Sequence, residues 1–143
     1  MPDLSGRKAI VTGANAGIGF EIAKALYAKG ASVTLGVRDA VKGQLAIDRI
    51  KSQVDGNGEL CFQLLDLSDL YSVGSFADEF LVRHSRLDIL VNNAGVMVPP
   101  ASSTADGHEL QFGVNFLGHF ALTGRLMPLL LQTSRARVVT LSS

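Results

Sequence analysis

Three glycines, Gly13, Gly17 and Gly19, follow directly on a short apolar run, Lys8–Thr12, and lead into a segment with Ile18, Ile22, Ala25 and Leu26 at helical spacing. A strand that turns through glycines into a helix exposes the unpaired N–H groups of that helix and its partial positive charge, which together attract phosphate. Gly13 lets the chain turn, and Gly17 and Gly19 leave room for a pyrophosphate and for the neighbouring strand. The spacing is G-x3-G-x-G rather than the commoner G-x-G-x-x-G. A tight strand-to-helix turn without a ligand is the competing interpretation of these glycines.

The cradle needs a scaffold, and the rest of the chain supplies alternating elements. Gly17–Lys29 reads as a helix closed by Gly30, and Ser32–Val37 as the second strand. Asp39 is placed to cap a helix running to about Val54, followed by a turn at Asp55-Gly-Asn-Gly58. Leu60–Leu65 is the third strand, Ser68 and Asp69 open a third helix, and Leu87–Val91 is the fourth strand. Residues 97–107, with Pro99 and Pro100, read as an exposed loop. Glu109–Thr133 reads as one long helix, with Phe112, Phe116 and Phe120 on one face and a kink expected at Pro128. Arg137–Leu141 closes the series as a fifth strand. Such a β-α alternation argues for a parallel sheet with helices on both faces. The expectation is a Rossmann-type doubly wound α/β fold with strand order 3-2-1-4-5, all of residues 1–143 forming one domain.

Composition narrows the chemistry. Of 143 residues, 47% are hydrophobic and 18% charged, an ordinary globular mix. Formal net charge is zero with no Lys/Arg run, which argues against nucleic acid as a partner. Cys61 is the single cysteine, and His84, His108 and His119 have no metal-ligand spacing, so no metal site is expected. No apolar stretch reaches the roughly 18 residues of a membrane span. The first residues lack the pattern of a secretion signal, and a cytoplasmic location is the expectation.

Five segments, in order and at suitable separations, resemble the short-chain dehydrogenase/reductase family. They are Thr12-Gly-Ala-Asn-Ala-Gly-Ile-Gly19, Asp66-Leu67, Asn92-Asn-Ala-Gly95, Asn115 and the terminal Ser142-Ser143. Leu87-Asp-Ile-Leu-Val-Asn-Asn-Ala-Gly-Val-Met97 and Gln111-Phe-Gly-Val-Asn-Phe-Leu-Gly-His-Phe120 look most like the retinol dehydrogenase-type subgroup. The resemblance implies hydride transfer between NAD(P)(H) and an alcohol/carbonyl substrate, a small alcohol, ketone or aldehyde in the full-length protein. In that family the usual dimer face pairs the helix matching Glu109–Thr133 with one that follows Ser143, which makes a homo-oligomer a candidate assembly without fixing it.

Residue roles follow from that resemblance. Gly13, Asn15, Gly17, Ile18 and Gly19 would cradle the pyrophosphate. Asp66 would hold the adenine amino group, with Leu67 offering a backbone contact; a place in a helix N-cap region is the structural alternative for Asp66. Asn93, Ala94 and Gly95 would line the adenosine ribose, the structural alternative being that Asn92 and Asn93 stabilise the strand end by side-chain-to-backbone hydrogen bonds; Thr12 would tie that segment to the first strand. An arginine just past the second strand accommodates a ribose 2′-phosphate where an acidic residue would select the 2′-hydroxyl. Arg38 therefore points to NADP(H) over NAD(H), the alternative being a surface arginine paired with Asp39. Asn115 lies among apolar neighbours, where a buried amide must be hydrogen-bonded; the resemblance makes it the support of a proton relay, against a purely structural asparagine. Ser143 matches the substrate-positioning serine, with Ser142 the lesser candidate. His119 is expected on the helix surface or at an interface, and Phe112, Phe116 and Phe120 in the core or at a subunit interface.

The pattern breaks at one place. The family's acid/base is a tyrosine with a lysine four residues on, the lysine lowering the tyrosine pKa. Tyr27 is followed four positions later by Ala31 and Tyr71 by Ser75, so neither fits, and the motif belongs after Ser143. The competing expectation is thus a nucleotide-binding module without catalysis. The fifth strand is expected to be a bare apolar edge.

Overall fold

The computed structural model describes residues 3–93 and 113–141, with side chains from Phe116 onward in the second segment. Five parallel strands form one sheet in the order β3-β2-β1-β4-β5. They are β1 (Lys8–Thr12), β2 (Ser32–Val37), β3 (Leu60–Leu64), β4 (Ile89–Asn92) and β5 (Arg137–Thr140). The helices are α1 (Gly17–Ala28), α2 (Ala40–Gln53), α3 (Leu70–Arg83) and α4 (His119–Gln132). The doubly wound expectation and its strand order both hold.

Side-chain alternation along β1 explains the layers. Ala9 and Val11 join a core with Phe20, Ala23 and Leu26 of α1 and Ala46, Ile47 and Ile50 of α2. Ile10 points the other way, into a core with Val73, Phe76 and Phe80 of α3 and Leu122, Leu126 and Leu129 of α4. Both faces of the central strands are covered, as an all-parallel sheet requires.

Local chemistry sets the helix starts. The Asp39 carboxylate accepts the N–H of Val41 at 2.8 Å and of Lys42 at 3.2 Å, so Asp39 caps α2 as expected. Asp69 caps α3 by accepting the N–H of Tyr71 at 3.0 Å. Gly30 follows α1 and donates to the Tyr27 carbonyl at 3.0 Å.

The helix expected over Glu109–Thr133 is different in kind at its start. Its described part opens with a π-helical turn, Gly113–Gly118, before α4 begins at His119. Residues 109–112, with Phe112, lie outside the described residues. Such i→i+5 turns are wider than an α-turn and recur at functional sites. α4 runs through Pro128 to Gln132. Phe116 and Phe120 stack with ring centroids 6.0 Å apart, but both are exposed, at 53% and 70%. The core alternative for these two rings is therefore excluded, because the face of α4 turned to the sheet carries Leu122, Leu126, Leu129 and Leu130 instead.

Every residue of β5 is exposed, Val138 and Val139 included, and among the described residues no strand pairs with its outer edge.

Candidate cofactor-binding site

In a sheet ordered 3-2-1-4-5 the chain reverses direction across the sheet between β1 and β4, and the crevice outside their C-terminal ends is where doubly wound folds bind ligands. Thr12 and Asn92 end those two strands. The residues that matter are therefore gathered by topology before any side chain is considered.

The β1–α1 turn has the cradle's geometry. Gly13 and Gly17 have φ of 62° and 63°, a region L side chains rarely adopt. Gly19 is needed for a different reason. A methyl group there would stand 2.7 Å from the Gly13 carbonyl oxygen and would collide with the Asn93 side-chain amide. Asn15 is half-buried in the same turn, and Ile18 is exposed on the first turn of α1. The start of α1 contrasts with those of α2 and α3. Its N-cap is Ala16, which offers no side-chain cap, where Asp39 and Asp69 cap the other two. Its leading N–H groups thus keep their donors for an anion.

A polar hub joins the strand ends behind this turn. The Thr12 hydroxyl, fully buried, accepts the Asn93 backbone N–H at 2.9 Å. The Asn93 side-chain amide donates to the carbonyls of Thr12 at 3.1 Å and Gly13 at 3.3 Å. The expected tie between Thr12 and the segment after β4 is made by these bonds.

Sequence reasoning missed one member of the hub. His119, expected at a surface, is 6% exposed, and its Nε2 lies 3.1 Å from Thr12 Oγ1. The signal was available: His119 precedes Leu122, Leu126 and Leu129 by three, seven and ten residues, which is the apolar phase of the helix. Asn92 is a second. Its Nδ2 donates to Thr123 Oγ1 on α4 at 3.2 Å, while its buried Oδ1 has no partner among the described residues.

The remaining predicted residues distribute as follows. Arg38 is exposed, one residue past β2. The alternative of an ion pair with Asp39 is not made among the described residues, because that carboxylate turns to the N–H groups of α2. Asp66 Oδ1 accepts the Ser68 N–H at 3.0 Å and the Ser68 hydroxyl at 2.6 Å, bracing the turn before α3 rather than capping it. Leu67 is buried in the α3/α4 core. Asn115 lies on the π-helical turn, its side chain outside the description. Ala94, Gly95, Ser142 and Ser143 lie outside the described residues.

An ionic cluster occupies the opposite, N-terminal edge of the sheet. Asp88, fully buried, accepts Arg86 Nε at 2.9 Å, Arg86 Nη2 at 2.6 Å and the Lys8 N–H at 2.8 Å. Burial alone would raise its pKa. The Arg86 and Lys8 hydrogen bonds, with the charges of Arg86 and Arg7, outweigh burial and hold it below the ordinary carboxylate value. This cluster pins strands and stands apart from the cradle.

Comparison with known proteins decides the family, since the short chain dehydrogenase profile matches residues 7–143. The chain belongs to the short chain dehydrogenase family. It is 50% identical over 140 residues to retinol dehydrogenase 11 of Mus musculus, and 46% identical over 140 residues to retinol dehydrogenase 12 of Homo sapiens. Each alignment covers 98% of this chain and 44% of the relative, so the chain spans less than half the length of these relatives. Among solved structures it resembles a metagenomic short-chain oxidoreductase in complex with NADP, with a TM-score of 0.85 and 33% identity over 99% of this chain and 64% of that one. The Pseudomonas aeruginosa RhlG/NADP active-site complex matches with a TM-score of 0.83 and 33% identity, over all of this chain and 57% of that one. Among the described residues no helix is long and apolar enough to cross a membrane.

Proposed function

We propose that residues 1–143 form the NAD(P)-binding domain of a short-chain oxidoreductase that prefers NADP(H) and acts on an alcohol/carbonyl pair. The observation that carries this reading is the uncapped start of α1 behind Gly13 and Gly17, set at the β1/β4 crevice. The N–H groups of Gly17, Ile18 and Gly19 receive the pyrophosphate, and Asn15 lines the turn. Asp66 and Leu67 border the adenine, and Asn93, Ala94 and Gly95 the ribose. Arg38, exposed and without an ion pair among the described residues, meets the 2′-phosphate. The NADP complexes of two structural relatives support that preference.

A bound dinucleotide would give a hydride to the carbonyl or take one from the alcohol. The chain's own residues bind, orient and prepare. Ser143 holds the substrate oxygen by a hydrogen bond, and Asn115 supports the proton path from the turn before α4. Proton exchange at the substrate oxygen belongs to a tyrosine and lysine of the kind the family carries after this region.

Calorimetric titration of the chain with NADPH, NADH and ADP-ribose tests the reading. Saturable binding, tighter for NADPH than NADH, is expected. Absence of binding by all three would overturn it.

A further inference from the structure

α4 has one polar side chain where its neighbours are leucines. His119 is 6% exposed at the first residue of the helix, and the other buried residues are Leu122, Leu126, Leu129 and Leu130. A buried imidazole on an apolar face has to be hydrogen-bonded. Its Nε2 lies 3.1 Å from the hydroxyl of Thr12, a residue 107 positions away. Either ring form serves: Nε2–H donates to Oγ1, or the hydroxyl donates to bare Nε2. In the first form the hydroxyl proton is directed at the Val91 carbonyl, 3.4 Å off. From Thr12 the chain of bonds continues through Asn93 to the Gly13 carbonyl, at the mouth of the cradle.

The segment preceding His119 makes that bond informative. In the π-helical turn Gly113–Gly118 the backbone carries one residue more per turn than an α-helix would. Annealing to regular α-helix would shift the phase of the upstream residues by one position, about 100° around the axis. Leucine packing is tolerant of such sliding because apolar contacts have no preferred direction. A hydrogen bond has both a distance and an angle to keep.

We propose that His119 is a positioning residue of the nucleotide site. Through Thr12 it locks the phase at which α4 and the turn carrying Asn115 meet the C-terminal ends of β1 and β4. The proposal rests on the nucleotide-binding reading above for its consequence, though not for its geometry.

The test is a double-mutant cycle on the full chain, with two readouts: amide hydrogen exchange at Asn93 and the Kd for NADPH. His119→Leu removes the bond at similar volume and is expected to speed Asn93 exchange and raise the Kd by about tenfold each, the scale of one lost hydrogen bond. His119→Gln places an amide near the Nε2 position and is expected to stay within about threefold of the parent chain. In a Thr12→Val background, adding His119→Leu should change either readout by less than about twofold. If His119→Leu does not fold, His119→Asn takes its place, since its amide reaches only the Nδ1 position. Equal loss in the Gln and Leu (or Asn) variants, or full additivity with Thr12→Val, overturns the proposal. If the parent chain binds no dinucleotide, the cofactor reading falls, while exchange at Asn93 still decides the role of His119.

Discussion

Arg86 and Asp88 form a forked ion pair across a single intervening residue, Nε to Oδ2 at 2.9 Å and Nη2 to Oδ1 at 2.6 Å. The same carboxylate reaches the Lys8 N–H, so one acidic side chain locks the start of β4 to the start of β1. Asp88→Ala leaves that N–H without its partner and is expected to cost about 1–3 kcal/mol, read from urea unfolding at pH 7. The pH dependence has a definite sign. The folded-state pKa of Asp88 is lowered, so its stabilisation is present above the unfolded carboxylate value and is lost as pH falls through the folded value. The gap between parent and Asp88→Ala should therefore close only in strongly acidic buffer. A gap that persists unchanged there would refute the ionic account.

Gly17 and Gly19 should respond differently to alanine. At Gly17 there is open space but φ is 63°, so Gly17→Ala carries a backbone cost of about 1–2 kcal/mol. At Gly19 the new methyl meets the Gly13 carbonyl oxygen at 2.7 Å and the Asn93 amide. Gly19→Ala must move the cradle, and is expected to abolish NADPH binding as well as lower Tm. Equal binding by the two variants would contradict this geometry.

Arg38→Ala is expected to weaken NADPH by about 10- to 100-fold, the equivalent of one charge-assisted bond, while leaving NADH within about twofold. Parallel titrations with the two cofactors measure it. A loss shared equally by both would remove Arg38 from 2′-phosphate recognition.

Among the described residues β5 lies at one edge of the sheet, with Val138 and Val139 exposed at 43% and 42%. An unpaired strand with apolar faces is a template for pairing with another chain. The chain is expected to self-associate with rising concentration in sedimentation velocity, and Val139→Lys to shift it toward monomer. A monodisperse monomer across the concentration range would count against the edge.

Much of this was legible along the chain because it rests on contacts between near neighbours. Asp39 caps α2 through residues two and three positions away, and Asp69 does the same for α3 at two. The glycine turn is likewise local. Element edges moved by one or two residues, as with β4, read over Leu87–Val91 and observed at Ile89–Asn92. The doubly wound order followed from the β-α alternation, since right-handed crossovers leave few alternatives. What only the tertiary structure decided depends on side chains brought together from distant positions. His119 and Thr12 meet across 107 residues because α4 packs on the face of β1 that Thr12 shares. Lys8 and Asp88 meet across 80 because β1 and β4 are neighbours in register, Ala9 against Ile89. The exposure of Phe116 and Phe120 was fixed in the same way, by the leucine face of α4 that packs against the sheet. Sequence periodicity names an apolar face; the packed sheet decides which residues occupy it.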